Sequence, residues 1–167
     1  MSATSIEAMP FAPEATRSTT FLLRSPAHAD AERVVAHLID RGVLTAESRA
    51  TSYVRSILAA PPEALRVRRI ARRVYANRRT LGRHFRAEGI PAPLDWVALA
   101  RAVLAHRTFV RGGPLRIAAA AAGYPDQFTM SNAMNRIFGI RPSQLRSVSW
   151  CELLDVWISR QRERARR

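Results

Sequence analysis

The sequence predicts an all-α fold, on three observations. Apolar residues recur at three- and four-residue spacing in one segment after another. Those segments are punctuated by Gly, Pro and helix-capping residues. No stretch of any length alternates apolar and polar residues with the period of two that a half-buried strand requires.

Residues 1–26 are rich in Ser, Thr, Ala and Pro, with Pro10, Pro13 and Pro26, and are expected to form a poorly ordered leader. Residues 27–51 read as a helical extension. Within them 30–41 carries the apolar stripe Val34, Val35, Leu38 and Ile39, and Gly42 supplies a stop. Thr45 is the first candidate cap for the next helix and Ser48 the alternative. That helix holds Tyr53, Val54, Ile57 and Leu58, and it must end before Pro61 and Pro62. A short helix over 66–76 places Ile70 and Val74 one turn apart. Asn77 is a good cap for 78–87, where Leu81 and Phe85 repeat the i,i+4 pair before Gly89 closes the helix.

Pro91 and Pro93 mark a break. A long helix follows from about 94 to 110, with Trp96, Val97, Leu99, Val103 and Leu104 apolar, and Gly112-Gly113 ends it. Pro114 opens a short helix to Ala122, and Gly123 makes the turn at Tyr124-Pro125. Asp126 caps 127–138, which Gly139 and Pro142 terminate. Residues 147–167 read as a final amphipathic helix with Trp150, Leu153, Leu154, Trp157 and Ile158 on one side.

The 167 residues carry 27 basic side chains, every one an Arg, against 13 acidic ones, for a net charge of +14. This length fits one domain with extensions, and an apolar share of 47% is ample for a core. One cysteine, Cys151, excludes a disulfide framework. No run approaches 18 apolar residues, and the N-terminal segment lacks a basic and then apolar export signal, so a cytoplasmic protein without a membrane partner is expected. A GC-rich genome would favour Arg codons and alanine together, so the missing Lys says little about chemistry.

The concentration of charge says more. Residues 66–146 hold 16 Arg against Glu88, Asp95 and Asp126, a net of +13. Within 66–86 there are nine Arg and no acid. A solvated helix face normally mixes signs for i,i+4 pairing, so a polyanion partner is the better reading, nucleic acid before an anionic membrane.

The same region repeats itself. Ala71 matches Ala119, Val74 matches Ala122 and Asn77 matches Pro125 at a spacing of 48; Leu81 then matches Met130 and Phe85 matches Met134 at 49. Each unit is a short helix, a tight turn and a second helix with a polar outer face, the pattern of a helix-turn-helix. The first unit spans 66–89, the linker helix 94–111 and the second unit 114–139, within a region running from 52 to 146. Arg79, Arg83 and Arg86 fall at i, i+4 and i+7, opposite Leu81 and Phe85.

Two such units joined by one long helix resemble the DNA-binding domain of the AraC/XylS family of bacterial transcription regulators. The resemblance rests on IARRVYANRRTLGRHFRAEGI, on PLDWVALARAVLA, and on AAAAGYPDQFTMSNAMNRIFGIRPSQLR. The last segment is similar to the family's C-terminal signature through Gly123, Tyr124, Phe138, Gly139, Pro142 and Ser143. The resemblance implies two recognition helices entering successive major grooves of double-stranded DNA, roughly 34 Å apart. It casts Arg78, Arg79, Thr80 and Arg83 as readers in the first recognition helix, with Arg79 and Arg83 suited to guanine O6/N7. In the second it casts Gln127, Phe128, Thr129, Asn132 and Arg136, where Thr129 suits a thymine methyl and Asn132 an adenine. Arg72, Arg73, Arg86, Arg141, Ser143 and Arg146 are expected to anchor phosphates.

Several residues depart from the family pattern. Tyr75 stands where the turn usually has Gly, which predicts a distorted first turn. Ala118 replaces a larger aliphatic residue and predicts a thinly packed second unit. Gly82 lacks a side chain for a base contact, Phe128 stands at a usually polar position, and Asn132 and Asn135 replace basic residues. The first unit is therefore expected to dominate affinity. Family members usually carry a separate ligand-sensing domain, and one of ordinary size is not expected within the 51 residues before the match.

Other residues carry blander readings. Met130 and Met134 are expected in the core, as is Trp96 in linker packing. Phe128 stays open between packing and a wedge or methyl contact at DNA, and His84 between a phosphate contact and a solvated position. His28, His37, His84 and His106 lack metal-ligand spacing, and no phosphate loop, nucleophile elbow or carboxylate pair is present. No cofactor, metal, small-molecule effector or enzyme activity is expected. The rival reading is a protein-interaction module. In it the helices 30–41 and 45–60, or the Trp150/Leu154/Trp157 stripe, would dock RNA polymerase or a second regulator.

Overall fold

The computed structural model describes residues 26–166, so the expected leader, apart from Pro26, lies outside the described residues. Eight α-helices and two 3₁₀ turns make up the described chain, with no strand among them. They are α1 (Pro26–Asp40), α2 (Arg49–Leu58), α3 (Val67–Arg73), α4 (Arg78–Ala87), α5 (Pro93–Val110), α6 (Leu115–Ala121), α7 (Gln127–Phe138) and α8 (Trp150–Ala165). The 3₁₀ turns are Pro62–Ala64 and Pro142–Arg146.

The centre is α5. Trp96, Val97, Leu99, Ala100, Ala102, Ala105, His106 and Phe109 are all buried, and they point around the helix rather than along one stripe. A helix apolar on several sides must be covered on several sides. Accordingly α3 and α4 pack on it from the first unit and α2 from the extension before it, α6 and α7 from the second unit, and α8 on a further side. Pro93 opens it at a position where the missing N–H costs nothing. The Pro91 carbonyl accepts the Trp96 indole N–H at 2.9 Å.

Most boundaries follow the sequence signals, and the exceptions have local causes. α1 begins at Pro26 rather than near residue 30. α2 is capped by Ser48, whose hydroxyl accepts the Thr51 N–H at 3.0 Å; Thr45 contributes only its carbonyl, which accepts the Thr51 hydroxyl at 2.7 Å. α8 starts at Trp150, because Ser149 and Glu152 form a reciprocal capping box there. Residues 147–149, between the end of the 3₁₀ turn at Arg146 and Trp150, are not helical.

The first turn is not distorted. α3 stops at Arg73, and Tyr75 takes a left-handed φ of +52°. The Ala76 N–H then reaches the Ala71 carbonyl at 2.9 Å and the Tyr75 N–H reaches Arg72 at 3.1 Å. In the second unit Gly123 has φ +74°, with Tyr124 N–H to Ala119 at 2.9 Å and Gly123 N–H to Ala120 at 3.0 Å. Both ends are the same Schellman closure, offset by 48. Tyr75 performs the glycine's conformational task with a side chain that is 100% exposed. One correspondence changes. The caps are Asn77 and Asp126, at 49, so Asn77 does not match Pro125; Pro125 is the inserted residue.

Ala118 leaves no thin packing either: it is fully buried, and the alanine face of α6 makes the most extensive helix contact of the described chain, with α5. Small side chains let the two backbones approach, which replaces bulk with proximity. The turn after α6 also lies close to the first 3₁₀ turn, since a Cβ at Gly123 would sit 3.2 Å from the Pro62 carbonyl oxygen.

Helices α1 and α8 bracket the linker. Asp155 accepts from His37 at 2.8 Å and from Arg41 at 2.7 Å, and Arg162 donates to the Arg41 carbonyl at 3.0 Å. Beneath them Trp157 meets Trp96 with ring centroids 4.9 Å apart. The stripes expected to dock a protein partner are therefore used internally: Val34, Val35 and Leu38, Val54 and Ile57, and Leu154 and Trp157 are all buried. A small cleft remains between α1, the end of α5 and Trp150, lined by Val34, Val103 and Val110 together with Arg33 and Arg107. Nothing in the linear pattern announced it.

Candidate nucleic-acid interface

The two second helices are built alike from their caps. The Asn77 carboxamide oxygen accepts the Thr80 N–H at 2.7 Å, and the Asp126 carboxylate accepts the Thr129 N–H at 2.7 Å. Each cap sets the register of the helix after it. Leu81 and Phe85 turn into the core from α4, and Met130, Met134, Ile137 and Phe138 from α7. Trp96 is buried in linker packing, as expected.

With Leu81 and Phe85 inside, α4 must present Arg78, Arg79, Arg83 and Arg86 to solvent, and all four are exposed. They line a shallow depression around Gly82, where the absent side chain leaves open space. None of the four has an ion-pair partner among the described residues. Thr80 is half-buried beside them, its N–H taken by Asn77. Arg72 and Arg73 are exposed at the end of α3. Like charges crowded without counter-charge in one depression repel, and an anion placed among them relieves that repulsion. His84 is not part of this face: its ring stacks on Tyr53 at 5.7 Å and shares a 3.2 Å hydrogen bond with the Tyr53 hydroxyl, tying α4 to α2.

The face of α7 differs in chemistry. Phe128, Thr129, Asn132 and Arg136 are exposed and Gln127 is half-buried. Phe128 is 71% exposed, which excludes a packing role for it. Asp126 accepts both the amide and the hydroxyl of Thr129, and those bonds hold its carboxyl below the usual carboxylate range. A carboxylate thus sits at the start of α7, where α4 has a neutral amide, and offsets the positive end of the helix dipole.

The expected phosphate anchors after α7 divide. Arg141 and Ser143 are exposed. Arg146 is exposed too, but its guanidinium lies 4.6 Å over the Phe109 ring and so also holds the 3₁₀ turn to the end of α5.

Two features escaped the sequence. Arg116, on α6, is exposed and adds a charge within the second unit. Arg101, on the linker, ties the segment before the first unit to the second unit: it donates to the Leu65 carbonyl at 3.0 Å and lies 5.5 Å over the Tyr124 ring. Tyr124 itself is buried, and that burial pushes its hydroxyl above the ordinary tyrosine value while Arg101 and Arg136 pull partly back. Only the tertiary meeting of residues 65, 101 and 124 reveals this tie. His106, buried, is held by the Val148 carbonyl at 2.8 Å. Among the described residues no group of three or more His, Cys, Asp or Glu side chains is placed to hold a metal ion.

Residues 70–147 match the family model described as a helix-turn-helix domain. This stretch is an AraC/XylS-type helix-turn-helix domain. It begins inside α3 and ends just after the 3₁₀ turn at 142–146, so it contains both turns, both capped second helices and the linker. Helices α1, α2 and α8 lie outside the matched stretch. No curated protein and no solved structure matches the chain. Such a domain supports a DNA-binding transcription regulator, and the family of helix-turn-helix domains is typically non-enzymatic. No helix among the described residues is long and apolar enough to cross a membrane.

Proposed function

We propose that the protein is a sequence-specific regulator that reads two successive major grooves of one duplex, with α4 as the stronger head and α7 as the weaker. The observation that carries the reading is the exposed, unpaired arginine face of α4, repeated in frame but not in charge by α7. Arg79 and Arg83 would contact guanine edges, and Arg78 and Thr80 their flanks. On α7, Gln127, Phe128, Thr129, Asn132 and Arg136 take the corresponding places. Arg72, Arg73, Arg86, Arg141, Ser143 and Arg146 would hold phosphates and so orient the chain without specifying sequence. The 18 residues of α5 make a strut about 27 Å long. Such a strut suits two heads spaced by about one turn of DNA, on the order of 34 Å. The Arg101 tie from the segment before the first unit to the second keeps that spacing stiff.

Selection from random duplexes, followed by binding at several salt concentrations, tests the reading. The expected result is one enriched motif with two half-sites and a steep salt dependence, since each neutralised phosphate releases counterions. Replacing Arg79 and Arg83 together by Ala should weaken the selected duplex by at least tenfold and relax the sequence preference of one half-site only. Enrichment of no motif, with salt-sensitive binding to every duplex, would refute sequence-specific reading in favour of general coating of DNA.

A further inference from the structure

The two heads share a frame but differ in the chemistry they expose. Phe128 is the second residue of α7, as Arg79 is the second residue of α4, each two places after its cap. Phenylalanine is among the residue types most often buried, yet this ring is 71% exposed at the end of the helix that faces outward. Two hydroxyls beside it spend their protons on local partners. The Thr129 hydroxyl donates to the Asp126 carboxylate at 2.8 Å, which uses its one proton and leaves Thr129 with a methyl but no donor to offer a ligand. The Ser131 hydroxyl donates to the Gln127 carbonyl at 2.6 Å. Beside the Asp126 carboxylate, the leading turn of α7 therefore offers an exposed phenyl ring and a methyl where α4 offers guanidinium.

A major groove contains one hydrocarbon group that varies with sequence, the C5 methyl of thymine. We infer that Phe128 and the Thr129 methyl recognise thymine C5 methyl groups, so that the half-site under α7 is thymine-bearing while the half-site under α4 is guanine-bearing. This rests on the DNA reading proposed above and adds to it the chemical class of bases read by the second head. It also gives the low charge of α7 a role: the second head discriminates by apolar contact, and the first supplies the electrostatic affinity. The carboxylate of Asp126 sharpens the division, because it keeps phosphate oxygens from taking the start of α7.

The test uses the full chain and the duplex that selection returns. Each thymine of the second half-site is replaced in turn by deoxyuridine, which removes the methyl and leaves every hydrogen-bonding group in place. At one or two positions the wild-type chain should bind about three- to tenfold more weakly. Phe128→Ala, at an exposed position that leaves the fold intact by circular dichroism, should bind the thymine duplex about as weakly and lose its sensitivity to the replacement. Equal binding of both duplexes by the wild-type chain would overturn the inference, as would a second half-site without thymine. So would a Phe128→Ala chain that weakens while the wild type ignores deoxyuridine and bends the duplex, since the ring would then be a wedge between bases. Failure of the DNA reading itself looks different: no duplex would be bound in an Arg79- and Arg83-dependent way.

Discussion

Replacing Tyr75 by Gly should stabilise the protein. Tyr75 sits at φ +52°, where an L residue brings its Cβ against the following carbonyl at a cost of about 1–2 kcal/mol. Glycine removes that cost but gives up about 0.5–1 kcal/mol through the greater freedom of its unfolded chain. The tyrosine side chain is 100% exposed, so no packing is lost. The balance is a gain of about 0.5–1 kcal/mol, or about 1–4 °C in Tm for a chain of this size. Thermal unfolding followed by circular dichroism, with a urea titration for the free energy, measures it. Two companions isolate the cause. Tyr75→Ala keeps the Cβ and should stay within about 0.5 kcal/mol of the wild type. Gly123→Ala, at φ +74° and against the Pro62 carbonyl, should destabilise by more than about 1 kcal/mol. An unchanged or lowered Tm for Tyr75→Gly, or an equal gain from Tyr75→Ala, would refute the left-handed closure of the first turn.

Asp126→Asn should keep the cap, because Asn serves there as well as Asp. It should also strengthen DNA binding by removing a negative charge from the start of α7. The lowered pKa of Asp126 means its stabilising effect is complete above the unfolded value near 4 and disappears as the pH falls through the folded value. An acid titration of Asp126→Asn should therefore lack part of the wild-type loss below about pH 4, and an identical titration would count against the cap. Glu152, lowered by the Ser149 bonds, contributes in the same direction. Trp157→Ala should cost about 3–5 kcal/mol in urea unfolding, because the ring is fully buried against Trp96. Trp157→Phe should cost clearly less, since it removes an indole N–H that has no hydrogen-bond partner. Equal losses from the two would show that packing around Trp157 is not the cause.

Much of the helix inventory was legible because its signals are local. Asn77 and Asp126 cap the helices that their sequence context assigns to them, and Met130 and Met134 occupy the buried positions that their spacing requires. The misreadings have two causes: at the caps and turns two local partners competed, and along the apolar stripes the deciding neighbour lay far off in sequence. Whether Thr45 or Ser48 capped α2 turned on which side chain met Thr51. Tyr75 was expected to disturb a turn that the Ala71 and Arg72 carbonyls in fact close. The apolar stripes of α1 and α8 looked available for a partner because nothing in the linear order shows that they meet α2, α5 and each other. The candidate face of α4 was legible from spacing alone, whereas the exposure of Phe128 was not, since an aromatic residue near a helix start can turn either way.

By itself the sequence determined the all-α class, the duplicated helix-turn-helix and the burden of charge on the first unit. These follow from periodicity, caps and composition, which act over a few residues. Tertiary structure alone decided the rest: that α1 and α8 clasp each other beside the linker, that Arg101 ties the segment before the first unit to the second, and that Phe128 stands in solvent. Burial and pairing depend on groups 23 to more than 100 residues apart along the chain, such as Arg101 with Tyr124 and His37 with Asp155, and only the folded chain brings them within reach.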